Sequence, residues 1–218
     1  MRQVFDPENL FWSLMGRMVD FVGLSLLWAA LCLPVVTIGP ACAALYYTVV
    51  KCFRQREKGA FGLCLRAFRD NLRTGIPATL ICLAAGTALF FGYGVMRAHW
   101  GTDLGAVLFV AYDVALLLPA GLVCWLFALL GRFSFPLGGA FRTAAMLALR
   151  HLPSTVVVVL MTLEFLIFGI ERWWPVFFAP VLCALLSSLF FERVFPKYLT
   201  EDEREKLART GETPVEEE

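Results

Sequence analysis

The hydrophobic positions of this chain fall into six long segments, and the short stretches between them carry most of the charged residues. A helix needs roughly 20 apolar residues, within a range of about 17–25, to cross the hydrocarbon core of a bilayer. The segments cover residues 18–36, 40–53, 76–96, 104–130, 153–170 and 174–191. The third and fourth are clear spans, and the second is the shortest. The pattern predicts an all-α polytopic membrane bundle with about six transmembrane helices.

An amphipathic stretch of helical period precedes each pair of spans. The first begins at Asp6-Pro7, a helix N-cap followed by proline, and the others cover 61–76 and 134–152. Such stretches suit helices lying in the cytoplasmic-side membrane interface. Their basic face comprises Arg66, Arg69, Arg73, Arg142 and Arg150. The predicted module, an interfacial helix followed by a transmembrane hairpin, therefore occurs three times.

The distribution of basic residues predicts the orientation. With both termini in the cytoplasm and six crossings, 17 of the 19 lysines and arginines lie inside, and only Arg97 and Arg172 lie outside. This asymmetry is the one described by the positive-inside rule. If segment 40–53 only dips into the membrane and returns, five crossings remain and the N-terminus moves outside. Six crossings are the preferred prediction.

Composition supports a membrane location and divides the chain into two parts. Hydrophobic residues make up 59% of the 218 residues and charged residues only 17%, whereas soluble domains average about 45–50% and about 25%. Residues 1–200 are expected to form a single transmembrane domain. Residues 201–218 carry eight acids and three bases, which predicts a disordered cytoplasmic tail. No cleavable signal is expected at the N-terminus.

The most distinctive string is PVVTIGP at 34–40. Pro34, Gly39 and Pro40 cannot continue a regular helix, and Thr37 supplies a hydroxyl between them. One interpretation is a broken helix segment that lines a substrate or ion site, because free backbone groups at membrane depth must be satisfied by protein or water. The other, preferred on the charge pattern, is a tight outer turn between two helices.

Two acids fall within the predicted spans. Asp113 lies roughly 13 Å from the outer end of its span, and Glu164 roughly 16 Å from the inner end of the next, so both lie near one depth. Carboxylates at such positions usually face a bundle interior and often mark function. We predict a candidate intramembrane polar site at these two residues. They either share a proton or bind a ligand or partner helix, or they serve as hydrogen-bonded packing contacts.

Other chemistry is sparse in the sequence. No nucleophile–base arrangement, phosphate-binding loop or metal-ligand spacing stands out, and the seven cysteines form no CxxC pair. We therefore expect no enzymatic activity, no cofactor, no metal, no bound ATP and no nucleic acid. Trp28 and Trp125 lie deep in the spans, where core packing is favoured over stacking on sugar rings.

Several strings resemble a known family. The run Asn9-Leu10-Phe11-Trp12, the string PVVTIGPACAALYY and the later AFRDNLRTG look like the YesL family of small bacterial polytopic membrane proteins of unknown function. The resemblance extends over most of residues 5–200. Members are often encoded beside carbohydrate ABC importers, so it implies an accessory role in carbohydrate uptake at the bacterial cytoplasmic membrane.

Two functions are consistent with these observations. The first is a non-enzymatic auxiliary subunit that contacts membrane lipids and a permease of a carbohydrate ABC importer, or associates with itself. The second is a small secondary transporter or channel that uses the mid-membrane acids.

Overall fold

Seven α-helices account for most of the computed structural model, which describes residues 7–54, 59–98, 101, 103–133, 136–172 and 177–194. A 3-10 turn, Val35–Thr37, precedes the second helix, and a π-helical turn, Val50–Arg54, follows it. The helices are α1 Pro7–Leu31, α2 Ile38–Val49, α3 Ala60–Ala98, α4 Asp103–Arg132, α5 Leu137–Arg150, α6 Leu152–Glu171 and α7 Ala179–Val194. Four helical stretches are long and apolar enough to cross a membrane: Val35–Phe53, Ala60–Ala98, Gly105–Arg132 and Leu152–Gly169. The predicted all-α class is confirmed.

The shortest predicted segment, 40–53, forms the centre of the bundle. About 61% of the Val35–Phe53 stretch is buried, compared with 6% of the apolar window in Ala60–Ala98. The helix α2 contributes to both hydrophobic clusters of the described chain, one around Trp125 and one around Leu24. Its small residues Ala41, Ala43 and Ala44 are fully buried, since they allow neighbouring helices to approach closely.

Two of the three predicted interfacial helices are not separate elements. The stretch 61–76 and the span 76–96 form one helix, α3, of 39 residues, about 58 Å long, with Pro77 inside it. Its stripe of buried residues, including Cys64, Ala67 and Gly75, packs on α2 rather than on a lipid surface. Likewise α1 continues unbroken to Leu31. The prediction of separate helices here was wrong, because α3 continues through Pro77 without a break and packs on α2 through its small residues.

The third amphipathic stretch does form a helix of its own. The chain breaks at His151, where φ is −117° and ψ is 48°, and Pro153 lies in the first turn of α6. The buried residues Ala140, Ala144 and Leu147 of α5 pack in the cluster around Trp125. This helix therefore also has a protein partner along its apolar stripe.

The α1–α2 hairpin is much shorter than the α3–α4 hairpin. Its turn ends at Gly39, which packs against Thr79 of α3 and Phe127 of α4, while Pro40 packs against Gly75. Thr79 lies 19 residues, about 28 Å, before the end of α3. The turn and the α3–α4 loop therefore lie at different levels of the molecule, contrary to the expectation of two loops on one outer surface.

Candidate functional site

The PVVTIGP turn makes several hydrogen bonds within its own backbone. The amide of Thr37 donates to the carbonyl of Pro34 at 3.0 Å, and the amide of Ile38 donates to that of Val35. The Thr37 hydroxyl lies 2.7 Å from the carbonyl oxygens of both Leu31 and Pro34, where it can donate to either. A threonine between two prolines thus replaces helix hydrogen bonds that the prolines remove. The Thr37 hydroxyl therefore stabilises the chain reversal between α1 and α2.

Two glycines, Gly39 near the turn and Gly75 on α3, allow the start of α2 to pack closely on α3 and α4. A Cβ atom at Gly39 would overlap Thr79 and Phe127, and one at Gly75 would come within 2.6 Å of Pro40 Cγ. The apolar residues before them remain open, with Leu33 82% exposed and Val35 53% exposed. Of the candidate broken-helix residues, Pro34 and Thr37 therefore belong to the turn, whereas Gly39 and Pro40 lie in the first turn of α2 and dock on α3 and α4.

Asp113 lies on the face of α4 that carries the contacts with α2 further along the helix. It is 18 residues, five turns or about 27 Å, before Gly131, which packs directly against the backbone of Ala43. Because α2 begins near the level of Phe127, nothing from α2 covers Asp113, and this side chain is exposed. The carboxyl has no hydrogen-bond partner among the described residues.

Glu164 lies on the opposite side of its helix from the bundle. It is nine residues, two and a half turns, after Thr155, which packs against Gly121 of α4. Its side chain is exposed on α6. The structure therefore does not bring Asp113 and Glu164 together within one copy of the chain, and neither faces a closed interior. A shared-proton pair is not formed, and a functional role for each acid stays a prediction.

The five predicted basic-face residues are all exposed. Arg66, Arg69 and Arg73 follow one another along the N-terminal half of α3, on the face turned away from α2. Arg142 and Arg150 lie on α5. The two groups belong to different helices, and the described contacts do not merge them into one patch.

A buried polar cluster that the sequence analysis missed joins α2, α4 and α7. The Arg132 guanidinium contacts the Glu192 carboxylate twice, with Nε 3.4 Å from Oε1 and Nη2 3.4 Å from Oε2. Tyr46 donates its hydroxyl to Oε1 of the same carboxylate at 3.1 Å. The two charged side chains are only 6% and 14% exposed. An ion pair this buried requires good geometry and further hydrogen bonds to offset its desolvation.

A second polar contact adjoins this cluster through Trp125. The Trp125 indole N–H donates to the Thr155 hydroxyl oxygen at 3.0 Å, and that hydroxyl lies within hydrogen-bond distance of the carbonyls of Ala148 and His151. The Trp125 and Phe191 ring centroids are 4.3 Å apart. Trp125 is completely buried, which agrees with core packing rather than sugar stacking. This contact links α4 to the chain at the break between α5 and α6.

The sequence contained a signal for the missed ion pair. Arg132 and Glu192 both end apolar runs, and the charge rule places both ends on one side of the membrane. Opposite charges at equivalent depth are candidates for pairing, but Arg132 was counted only as a topological charge. Tyr46 could not have been identified as the third member without knowledge that α2 lies between α4 and α7.

The fold and these contacts define an all-α membrane protein with several apolar helices long enough to span a bilayer. Residues 21–93 match a family described as "Protein of unknown function, DUF624". The match covers the second half of α1, the PVVTIGP turn, α2 and most of α3. This bears out the expected similarity to a family of unknown function, although the match itself does not supply the name YesL. No curated protein and no solved structure matches the chain.

Proposed function

We propose that this chain is a non-enzymatic accessory subunit of a bacterial membrane importer, and that the importer takes up carbohydrates. One observation supports the proposal: the helices bury one another over only part of their length. The apolar outer parts of α3, α4 and α6 remain exposed, with Phe90 and Phe91 each 75% exposed and the carboxyls of Asp113 and Glu164 among them. Carbohydrate as the cargo rests on the family resemblance.

Apolar side chains alone would be satisfied by lipid, but carboxyl groups in the same surfaces would not. A neighbouring membrane protein can cover both. On the inner side, the exposed row Arg66, Arg69 and Arg73 supplies positive charge for anionic lipid head groups and for an acidic cytoplasmic partner. These features support a subunit that is stabilised by lipids and completed by a permease.

Co-purification tests this function. The chain would be expressed at matched levels with a carbohydrate ABC importer from the same genome and extracted in mild detergent. We expect a stable complex that weakens when Arg66, Arg69 and Arg73 are changed to glutamine, while Arg172→Gln on the predicted outer side serves as the control. Recovery of the chain alone at matched expression would contradict the proposal.

A small secondary transporter or channel is the second candidate, favoured by the position of Asp113. This acid lies on the α2-facing side of α4 beyond the end of α2, where a titratable group could meet an ion. Proton flux into vesicles, followed with a pH-sensitive dye, should then disappear in Asp113→Asn. The absence of flux in the native protein would remove this candidate.

The crossing pattern of the hairpins is a separate proposal. Six crossings are the prediction from sequence, but the short α1–α2 hairpin supports a different arrangement. We propose that α3, α4, α6 and α7 cross the membrane and that the α1–α2 hairpin enters from the cytoplasmic side and returns. The hydrogen bonds of Thr37 and Ile38 within the PVVTIGP turn support such a position, because they reduce the number of backbone groups that would need water. Both arrangements keep both termini and the same 17 bases inside.

Thiol labelling distinguishes the two arrangements. In a background without the seven native cysteines, Leu33→Cys probes the turn and Ala98→Cys probes the end of α3. A membrane-impermeant thiol reagent added to intact cells should label only the second variant, whereas both should react after denaturation in detergent. Labelling of both in intact cells would restore six crossings.

A further inference from the structure

One face of α6 carries a regular row of exposed side chains. Val157, Leu160, Glu164, Ile167 and Glu171 follow each other at alternating spacings of three and four residues, and all five are exposed. This spacing aligns side chains along one stripe and is the spacing by which one helix packs along another. We refer to this row as the α6 seam.

The face of α6 opposite the seam packs against the rest of the bundle. Thr155 receives the indole N–H of Trp125, and the Thr162 hydroxyl lies 3.7 Å from the sulfur of Cys183 on α7. Val158 and Val159 are also buried on this side. Since Glu164 lies two and a half turns from Thr155, the α6 seam points away from α4 and α7.

The two carboxyl groups of the α6 seam lack partners in the part of the chain that the structure describes. Neither Glu164 nor Glu171 makes a hydrogen bond or ion pair there. Glu164 sits between Leu160 and Ile167 in the middle of a helix that is only 17% buried over its apolar window. An unpaired carboxyl at that depth is unfavourable in lipid, whereas it becomes an attractive contact for a donor on another helix.

The geometry points to the α6 seam as a docking surface for a transmembrane helix of another protein that carries a basic side chain at the depth of Glu164. Apolar side chains on that helix pack against Leu160 and Ile167. A second base near its outer end meets Glu171. This inference rests on the proposed accessory function and adds to it the docking helix and the chemistry of the partner.

Charge complementarity favours a different protein over a second copy of this chain. A symmetric pair of seams would bring Glu164 near Glu164 and Glu171 near Glu171, because two copies with the same orientation in the membrane are related by a two-fold axis along its normal, which keeps equivalent residues at one depth. The seam contains no base to compensate two like carboxylates. A helix with bases at these levels supplies an opposite charge to both acids.

The test uses defined probe helices. Two labelled polyleucine transmembrane peptides, one with a central lysine and one with leucine there, are reconstituted with the labelled full chain in vesicles of phosphatidylethanolamine and phosphatidylglycerol. Energy transfer should report at least about tenfold tighter association with the lysine peptide, which corresponds to about 1.4 kcal/mol. Glu164→Leu should remove this preference. Asp113→Leu, which removes a carboxyl outside the seam, should keep it.

Several results would overturn the inference. Equal association of both peptides would do so, as would a lysine preference that survives in Glu164→Leu. Energy transfer between two labelled copies that depends on Glu164 would show a self-associating seam instead. Co-purification of an importer with both the native chain and Glu164→Leu would reject the seam while leaving the accessory function intact. A lysine preference without any importer complex would support the seam and contradict the accessory function.

Discussion

The two halves of α3 differ in packing although both are rich in apolar residues. We call Ala60–Thr79, with the helices packed around it, the inner half and Leu80–Ala98 the outer half, after the orientation that the charge pattern predicts. Between Ala60 and Thr79 six residues are buried, whereas none is buried between Leu80 and Ala98. The same division runs through α4, where burial is concentrated from Gly121 to Gly131. Hydrophobicity therefore does not decide which half packs. Lipid solvates apolar side chains as well as protein does, so small residues and polar contacts determine where helices associate.

The largest expected effect comes from breaking the buried ion pair of the inner half. Arg132→Leu removes the countercharge of the Glu192 carboxylate and leaves it the hydrogen bond from Tyr46, and removal of one member of such a pair costs about 3–5 kcal/mol. Thermal unfolding in detergent should show a correspondingly lower midpoint. The double variant Arg132→Leu/Glu192→Leu should recover part of the loss, and Arg97→Leu at the exposed end of α3 should change little. Equal midpoints for Arg132→Leu and Arg97→Leu would contradict the cluster.

The next effect concerns close helix approach. A Cβ atom at Gly131 would overlap the backbone of Ala43, so Gly131→Ala should destabilise the protein by about 1–3 kcal/mol through overpacking. Gly86 in the outer half has nothing within 4 Å of such an atom. Gly86→Ala should instead be neutral or stabilise by up to about 1 kcal/mol, because alanine favours helix. The unfolding midpoint should therefore fall in Gly131→Ala and should stay the same or rise in Gly86→Ala.

A smaller effect is expected at the Trp125 hydrogen bond. Trp125→Phe keeps most of the aromatic surface next to Phe191 but removes the N–H donated to Thr155. The expected loss is about 0.5–1.5 kcal/mol for the hydrogen bond, with a further contribution from the smaller ring. Thr155→Val removes the same bond from the other side. Nearly additive losses in the double variant would show that the two residues do not interact.

The smallest effect should occur in the outer half. Phe90 is 75% exposed, so Phe90→Ala in detergent should change the unfolding free energy by no more than about 0.5 kcal/mol. Phe191→Ala in the inner half, at a buried phenylalanine, provides the contrast, with an expected loss of about 3–5 kcal/mol. Similar losses at both positions would mean that the outer half packs as tightly as the inner half.

Sequence patterns predicted the long helices closely. The predicted span 104–130 corresponds to α4, Asp103–Arg132, and 153–170 corresponds to α6, Leu152–Glu171. Both are long apolar runs bounded by charged or polar residues, which are local properties. The break before α6 was also predicted, but Pro77 did not end α3. Pro77 and Pro153 each lie near the start of a predicted span, but only Pro153 follows the end of a helix. The two sites differ because α3 packs along α2 on its way through Pro77, while α5 packs on α4.

The candidate site was predicted less well than the helices. Asp113 and Glu164 are mid-helix acids as expected, yet they point in different directions, and the buried acid is Glu192. Depth along the membrane can be counted from the sequence, but the rotation of each helix depends on its neighbours. Pairing of Arg132 with Glu192 and Tyr46 required α2 to lie between α4 and α7.

The sequence by itself determined that this chain is an all-α membrane protein, because apolar run lengths and charge distribution are read one segment at a time. It also indicated a break near PVVTIGP, and in the structure Pro34 precedes the 3-10 turn Val35–Thr37 while Gly39 and Pro40 lie in the first turn of α2. Only the tertiary structure decided that this turn reaches no further than the middle of α3 and that α2 is the central helix. Contacts between segments distant in the chain, through glycine, alanine and one buried ion pair, set those positions.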